Sequence, residues 1–321
     1  MMQAVRLSLL ISIICNCLLI FNEAQDDGNA FDNNVNHCLF DRWKVGTNHI
    51  LATKVKCNGH KRTGLCYGLN GKALFAVCYN KISLIPEFTG HIVNWVSGGA
   101  TGRDDWRNET GKYAPKRQSD WKEDYGSHSQ ANIIPNLDRK KEHFYSRGHL
   151  TPNADFTTDE ERALTMVNTN IAPQWQLFNA QNWAVLERAV RSYSGDNNRR
   201  VYVVTGTGGI SMILKNDQQM PVLLNKRVIV PKYFWKAVCD PVKKSSVVFV
   251  AQNPTGAEST QTKSGCIGIQ QTPGKGIVKC YSLNGLNGRK EAQYFKLPSF
   301  ANICKPSKRG TFLDQYLNRL T

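Results

Sequence analysis

Residues 145–152 read YSRGHLTP, residues 168–174 read NTNIAPQ, and residues 178–187 read FNAQNWAVLE. The first segment places His149 beside Arg147 across a glycine, and a glycine would let a phosphate backbone approach closely. The later segments supply amide side chains and end on the carboxylate of Glu187. A base, a cation and hard oxygen donors are the groups that phosphodiester hydrolysis requires.

The third segment has the spacing of a helix that could hold a metal ion. Its apolar side chains recur at helical intervals, which predicts a helix over Phe178–Ser192, ended by Gly195. Asn179 and Glu187 stand eight residues apart, about 80° around an ideal helix, so they share one broad face. Amide and carboxylate oxygens are ligands that Mg²⁺ prefers, and Mg²⁺ keeps several waters beside one or two protein ligands.

The charge of the chain indicates an acidic partner. The 321 residues include 41 Lys and Arg against 25 Asp and Glu, a formal net charge of +16. With 41% hydrophobic residues and only 21% charged ones, the composition is that of a globular protein and excludes collagen, coiled coil and disorder. A basic excess of this size suits a nucleic acid, an anionic glycan or a membrane surface.

The first residues predict secretion. Arg6 precedes an apolar run over residues 7–21, and a small residue, Ala24, offers a cleavage point, so residues 1–24 are predicted to be a signal peptide. The run is shorter than the roughly 20 residues that span a bilayer. We therefore expect a secreted, extracellular protein with no membrane association. Cleavage removes one cation and one anion, which leaves the net charge unchanged.

Eight cysteines remain after that cleavage. An even number in an oxidising compartment predicts four disulfides, although eight cysteines allow 105 connectivities. They fall in two clusters, which leaves a cysteine-free centre where the chemistry is expected. A glycan is permitted by the sequon at Asn108. The eight positions are Cys38, Cys57, Cys66, Cys78, Cys239, Cys266, Cys280 and Cys304.

The pattern of short strands and few helices predicts an α+β fold. We expect a loose tail over 25–37, a strand over Ala73–Tyr79 and two strands within Ile82–Val96 that flank a turn at Pro86. Later strands are predicted over Val201–Thr205, Lys226–Val230, Phe234–Val238 and Ser246–Ala251. The predicted segments are the signal peptide (1–24), a cysteine-bearing N-terminal segment (25–90) and a catalytic domain (91–321).

Ser-Arg-Gly-His, followed by Asn-x-x-Pro-Gln and Phe-Asn-x-x-x-Trp-x-x-x-Glu, resembles the DNA/RNA non-specific endonuclease family. The resemblance covers roughly residues 90–300. It implies the ββα-metal (His-Me finger) nuclease fold with a central, mainly antiparallel sheet, here stapled by disulfides. The cysteine-bearing N-terminal segment is most similar to that of secreted arthropod members, which implies a salivary or digestive nuclease.

The resemblance also implies a role for each matching residue. His149 would be the general base that activates water, and Arg147 would lie near the scissile phosphate. Asn179 would be the direct ligand of Mg²⁺ (or Mn²⁺), and Glu187 would orient water in the metal shell. Two further amides, Asn170 and Gln174, would position the metal shell and the phosphate.

An upstream arginine of the family stabilises the pentacovalent phosphorane, and two residues compete for that role here. Arg103 is favoured because an aromatic residue follows shortly after it, and Arg107 is the alternative, with a substrate-binding role. Many members carry Asp where this chain has Ser146, so an anion near His149 is missing, which could alter how the imidazole is held.

Three functions are compatible with this sequence. The leading one is Mg²⁺-dependent hydrolysis of extracellular DNA and RNA, the two substrates, without sequence specificity. The second is a secreted nucleic-acid-binding protein that kept the fold and lost turnover, for which Ser146 is the only hint. The third is a disulfide-rich binder of heparin-type polyanions. The intact set of His149, Asn179 and Glu187 favours hydrolysis, because a pure binder has no use for a hard-metal site.

Overall fold

The computed structural model describes residues 28–94, 106–134, 137–254, 266, 272 and 274–319. The predicted signal peptide lies outside the described residues. The strands are β1 (Lys44–Val45), β2 (Asn48–His49), β3 (Arg62–Leu69), β4 (Lys72–Asn80), β5 (Ile85–Val93), β6 (Tyr145–His149), β7 (Ile171–Trp175), β8 (Val201–Gly208), β9 (Met212–Lys215), β10 (Gln218–Pro221), β11 (Leu223–Leu224), β12 (Val228–Ile229), β13 (Tyr233–Asp240), β14 (Ser245–Gln252) and β15 (Val278–Tyr281).

The α-helices are mostly short. They are α1 (Val35–Cys38), α2 (Ser127–Gln130), α3 (Asp159–Leu164), α4 (Gln176–Phe178), α5 (Ala184–Asp196), α6 (Leu283–Asn287) and α7 (Asp314–Arg319). A π-helical turn over Asn179–Trp183 joins α4 to α5, so residues 176–196 form one continuous helix, called here the long helix. No helix of the described residues is long and apolar enough to cross a bilayer.

One antiparallel sheet of seven strands forms the centre of the molecule, in the order β15-β14-β13-β8-β5-β4-β3. Side chains alternate between its faces, as the pleat requires. On β8, Val201 and Val203 pack beneath the long helix, whereas Tyr202 and Val204 pack beneath the N-terminal segment. The α+β class and the mainly antiparallel sheet are confirmed.

The same sheet takes strands from both ends of the chain. Strands β3 to β5 come from residues 62–93, and they pair through β8 with strands that follow residue 200. The boundary predicted at residue 90 therefore falls inside a continuous sheet.

All eight cysteines predicted to pair do so in the described structure. The bonds are Cys38–Cys66, Cys57–Cys78, Cys239–Cys304 and Cys266–Cys280. Each bond stays within its own sequence cluster. Four disulfides are confirmed, and tertiary structure selects one of the 105 connectivities. Together they fasten the N- and C-terminal segments to the sheet.

The turn predicted at Pro86 is wrong. Strand β5 runs through Pro86 without interruption, because the register of its partner shifts between Cys78 and Tyr79. A bulge is one of the few places where a sheet tolerates a residue that lacks an amide hydrogen.

The loose tail predicted over 25–37 is also wrong for its described part. Phe31 donates its backbone amide to the Cys66 carbonyl at 3.0 Å, and Asp32 forms a β-bridge with Cys66. Val35 is buried in the core. The polar composition concealed this packing, because the contacts are made by the backbone and by a disulfide.

Two other predicted boundaries move. The strand predicted over Lys226–Val230 shrinks to the two residues of β12. Gly195 does not end the long helix, which continues to Asp196 and is capped by the Asn197 amide hydrogen.

Candidate active site

The YSRGH and IAPQW segments form a small antiparallel ribbon that leads directly into the long helix. Strands β6 and β7 pair with Ser146 opposite Gln174 and His149 opposite Ile171. The ribbon and the helix make a ββα unit, called here the finger. The finger carries five of the eight predicted site residues, namely Arg147, His149, Gln174, Asn179 and Glu187.

Buried amide side chains hold this ribbon where a larger sheet would use neighbouring strands. Gln130 accepts from the Tyr145 amide at 2.8 Å and donates to the Tyr145 carbonyl at 3.0 Å. Asn253 accepts from the Trp175 amide at 2.9 Å and donates to the Pro173 carbonyl at 3.0 Å. Sequence reasoning missed both residues, because an isolated Asn or Gln in a loop carries no pattern.

Asn170 likewise binds backbone groups, at the end of the ribbon that carries His149. It is fully buried, accepts from the Thr151 amide at 3.0 Å, and donates to the carbonyls of Thr151 at 2.9 Å and Thr165 at 3.0 Å. Both of its amide hydrogens are therefore engaged within the protein. The structure places Asn170 as a clamp on the residues that follow His149, and its predicted contact with substrate remains a prediction.

Asn179 is anchored to β6 through Ser146. Its Nδ2 donates to the Ser146 Oγ at 3.2 Å, and that hydroxyl donates to the Gln174 carbonyl at 3.1 Å. Because Nδ2 is bound to Ser146, the Oδ1 of Asn179 points away from this hydrogen bond. Ser146 thus supplies a neutral hydroxyl that orients the Asn179 amide.

A π-helical turn alters the phase between Asn179 and Glu187. The turn spans Asn179–Trp183, and a π turn accommodates about one residue more than an α turn. The two residues are then related like residues seven apart in an α-helix, about 700°, which is within about 20° of two full turns. They lie closer to one line along the helix than the 80° expected from sequence, and local sequence gave no signal of this.

Gly148 is required by its contact with Gln174. A Cβ on Gly148 would lie 2.2 Å from the Gln174 Oε1. Gln174 is fully buried, and neither its Oε1 nor its Nε2 has a hydrogen-bond partner among the described residues. The close approach that the sequence assigned to a phosphate is made here by this glutamine, whose amide is left available to water or a ligand.

Arg147 and His149 stand two residues apart on β6, so they share one side of this strand. His149 is partly buried and packs against the Trp106 ring, with 4.8 Å between ring centroids. The Arg147 guanidinium lies 5.3 Å from the centroid of the same ring. The structure therefore brings the predicted base and the predicted phosphate-binding cation together.

Of the two upstream arginines, Arg107 is directed away from this group. Arg103 lies outside the described residues. Arg107 donates to the carbonyls of Gly28 and, at 3.5 Å, of Leu164. Its neighbour Trp106 contacts His149, and consecutive side chains of an extended segment point in opposite directions. Arg107 is thus directed to the N-terminal segment.

The sequence of this chain matches the family model for DNA/RNA non-specific endonucleases over residues 62–288. The chain belongs to the DNA/RNA non-specific endonuclease family. The match includes the finger and all seven strands of the central sheet, and so the resemblance found in the motifs is confirmed.

Salivary proteins are among the individual relatives of this endonuclease family member. A salivary endonuclease of Lutzomyia longipalpis is 32% identical over 202 residues, 57% of this chain and 46% of that protein. A salivary endonuclease of Culex quinquefasciatus is 29% identical over 119 residues, 36% of this chain and 32% of that protein. The salivary protein Tsal2A of Glossina morsitans morsitans is 24% identical over 249 residues, 70% of this chain and 60% of that protein. The chain spans less than half the length of the first two.

A solved structure, the crystal structure of the EndoG/EndoGI complex, is 19% identical to this chain. The superposition covers 69% of this chain and 82% of that chain, with a TM-score of 0.39.

In this endonuclease family member, Glu187 of the long helix lies near the buried charges of Lys236 and Asp155. Burial raises the pKa of the partly buried Glu187 carboxyl to about 7, against the opposing effect of the Lys236 ammonium. Asp155 adds a second anion nearby. Burial alone would raise its pKa, but a hydrogen bond from His91 at 2.8 Å and an ion pair with Arg191 at 2.9 Å lower it.

Lys236 is the residue of this group that sequence reasoning should have noticed. It is 1% exposed, and its Nζ donates to the Thr205 Oγ1 at 2.7 Å and lies 5.3 Å from the Trp183 ring. Burial lowers its pKa, and the charge of Glu187 opposes that shift. A lysine in the middle of the apolar strand YFWKAVCD was the available signal, because such a residue is rarely buried without a partner.

Proposed function

We propose that this protein is a secreted, metal-dependent endonuclease that hydrolyses extracellular DNA and RNA without sequence specificity. One observation carries the proposal. The finger places His149 on β6 and ties Asn179 of the long helix to the same strand through the 3.2 Å contact with Ser146. A base and an oxygen ligand on one rigid unit are what metal-assisted hydrolysis requires.

The donor set fits a hard divalent cation. Asn179 offers its Oδ1, Glu187 offers a carboxylate close to the same line of the helix, and Gln174 offers a buried amide without a partner in the described structure. The described residues contain no group of three His, Cys, Asp or Glu side chains that could hold a metal. Oxygen donors in small number, completed by water, suit Mg²⁺ or Mn²⁺.

The protein side chains divide the remaining work. A bound Mg²⁺ would supply positive charge that offsets the negative charge developing on the phosphate. His149 accepts the proton of the attacking water at its imidazole. Arg147 holds the phosphate through its N–H groups, and the ionised Glu187 carboxylate orients water near Asn179. Arg103 is the proposed second cation on the phosphate, whereas the position of Arg107 favours a structural contribution.

Disulfides, relatives and charge support the setting of this activity. Four disulfides are typical of an oxidising compartment, and the relatives named above are salivary. A net charge of +16 favours a polyanionic substrate. A salivary enzyme that degrades extracellular nucleic acid at a feeding or digestive site accounts for all three. Asn108, the proposed glycan site, is exposed.

Plasmid DNA and RNA incubated with the purified protein test the proposal. We expect cleavage of both in Mg²⁺ and none in EDTA. His149→Ala and Asn179→Ala should each abolish cleavage, whereas His128→Ala, which alters an exposed histidine, should not. Folded protein that retains DNA on a column but cuts nothing in excess Mg²⁺ would instead support the binding function. A His149→Ala variant with full activity would remove this residue as the base.

A further inference from the structure

We propose that Trp106 and Trp121 are positioning residues that hold the Arg147 guanidinium through cation–π contacts, and that Trp106 also packs against the ring of His149 and helps to position it. The pair is called here the tryptophan clamp. The inference rests on the proposed function, which gives Arg147 and His149 their chemical roles.

The first observation is that one guanidinium lies over two indole rings. The Cζ of Arg147 is 5.3 Å from the Trp106 centroid and 5.6 Å from the Trp121 centroid. Both distances lie within the range of a cation–π interaction, and tryptophan is the strongest partner. Arg147 is partly exposed, and the two aromatic contacts restrict the rotamers of its long side chain.

The second point concerns the kind of contact that the rings make. A guanidinium binds phosphate through N–H groups in its own plane, whereas a cation–π contact involves the charge of the group and the face of the aromatic ring. Contact with Trp106 and Trp121 therefore restrains the cation without itself using an N–H donor.

The third observation is that Trp106 contacts the predicted base as well. Its ring lies 4.8 Å from the His149 ring, centroid to centroid. Trp106 thus contacts both residues to which the proposed function gives a chemical role. Trp121 has the Arg147 contact alone among its ring interactions in the described structure.

The backbone next to each tryptophan of the clamp is hydrogen-bonded to other parts of the fold. Next to Trp106, the backbone of Arg107 bridges to Val167, with its amide 3.0 Å from the Met166 carbonyl. The segment that contains Met166 and Val167 leads within a few residues into β7. The clamp and the ribbon are therefore parts of one hydrogen-bonded frame.

Trp121 lies in a turn that is held by an ion pair between Asp124 and the partly exposed Arg227. Asp124 is fully buried, and both of its oxygens accept from Arg227 at 2.8 Å. Asp120 caps the same turn by accepting from the amides of Lys122 and Glu123, each at 2.8 Å. The turn that presents Trp121 is thus ordered before any substrate binds, which is the condition for a positioning role.

Kinetics on a defined oligonucleotide, with Mg²⁺, test the clamp. Trp121→Leu should raise KM about 2- to 30-fold, the range that corresponds to one cation–π contact, and leave kcat nearly unchanged. Trp106→Leu should raise KM and also lower kcat, because His149 loses its packing. Trp106→Phe keeps an aromatic face and should restore most of both. Tyr294→Leu is the matched control, since Tyr294 contacts Lys232 at 5.6 Å but packs with Tyr233, away from the finger.

A double-mutant cycle separates positioning from direct stacking on a base. With Arg147→Met already present, Trp121→Leu should cost little more, because the clamp has nothing left to hold. If the effects of the two substitutions are additive, Trp121 acts on the nucleic acid itself and the proposal is wrong. Unchanged KM in Trp121→Leu, unchanged kcat in Trp106→Leu, or failure of Trp106→Phe to rescue would each overturn it as well.

A binding assay in EDTA keeps this test separate from the proposed function. Fluorescence anisotropy of a labelled oligonucleotide measures affinity without turnover. We expect Trp121→Leu to weaken binding about 2- to 30-fold there too, even if the wild-type protein were to cut nothing in Mg²⁺. A wild-type protein that cuts, together with a Trp121→Leu variant that binds and cuts normally, would overturn the clamp and leave the proposed nuclease activity intact.

Discussion

Replacing Glu187 by Gln should make this protein more stable in alkaline solution while it loses activity. Burial of this side chain, which lies on the long helix, raises the pKa of its carboxyl from 4.5 to about 7. The folded state therefore binds a proton more readily than the unfolded state between these two values. The wild-type stability falls as the pH rises through that window, and the full penalty is present above pH 7.

The size of the effect follows from the shift. A rise from 4.5 to about 7 corresponds to about 3 kcal/mol at pH 8, at 1.36 kcal/mol per unit. This net shift already includes the attraction of the Lys236 ammonium, which lowers the Glu187 pKa, and solvent screening of the partly buried carboxyl reduces the effect. We therefore expect Glu187→Gln to raise the free energy of unfolding by about 1–3 kcal/mol at pH 8 and by close to nothing at pH 4.5.

Denaturant unfolding at the two pH values, with disulfides intact and EDTA present, measures this difference. Glu123→Gln is the control, because Glu123 is exposed and its change should have no pH-dependent effect. The nuclease activity of Glu187→Gln should fall, as expected where a strained site serves function. A gain of the same size at both pH values, or no gain at pH 8, would refute the reasoning.

Three further substitutions test the finger. Asn170→Ala should lower the free energy of unfolding by about 3 kcal/mol, measured by denaturant titration, because it leaves three buried backbone groups unsatisfied; a loss below about 1 kcal/mol would contradict this. Gly148→Ala should displace the Gln174 amide and lower kcat with the fold retained by circular dichroism, since its Cβ would meet Oε1 at 2.2 Å; normal kcat would show that Gln174 has no part in the site. Ser146→Ala should raise the Mg²⁺ concentration for half-maximal activity about 3- to 10-fold, because Asn179 loses one hydrogen bond, and an unchanged metal titration would contradict this.

Several features were determined by the sequence alone because they depend on local spacing. The apolar periodicity of residues 178–192 was sufficient to predict the long helix, and the β-branched runs near residues 201, 234 and 246 predicted three strands of the sheet. The motif that contains His149 and Asn179 was sufficient to indicate the family. The count of eight cysteines predicted four bonds.

The tertiary structure decided what depends on contacts between distant residues. Asn170 has the same local sequence whether it faces a phosphate or a backbone, and only the fold shows that it clamps Thr151. The stacking of Arg147 on Trp121 joins residues whose loop is positioned by Arg227, more than a hundred positions later. Burial and hydrogen-bond partners are properties of the packed chain, whereas periodicity and residue type are properties of the sequence. The motif was therefore sufficient to predict the chemistry of the site, whereas the geometry of the site required the tertiary structure.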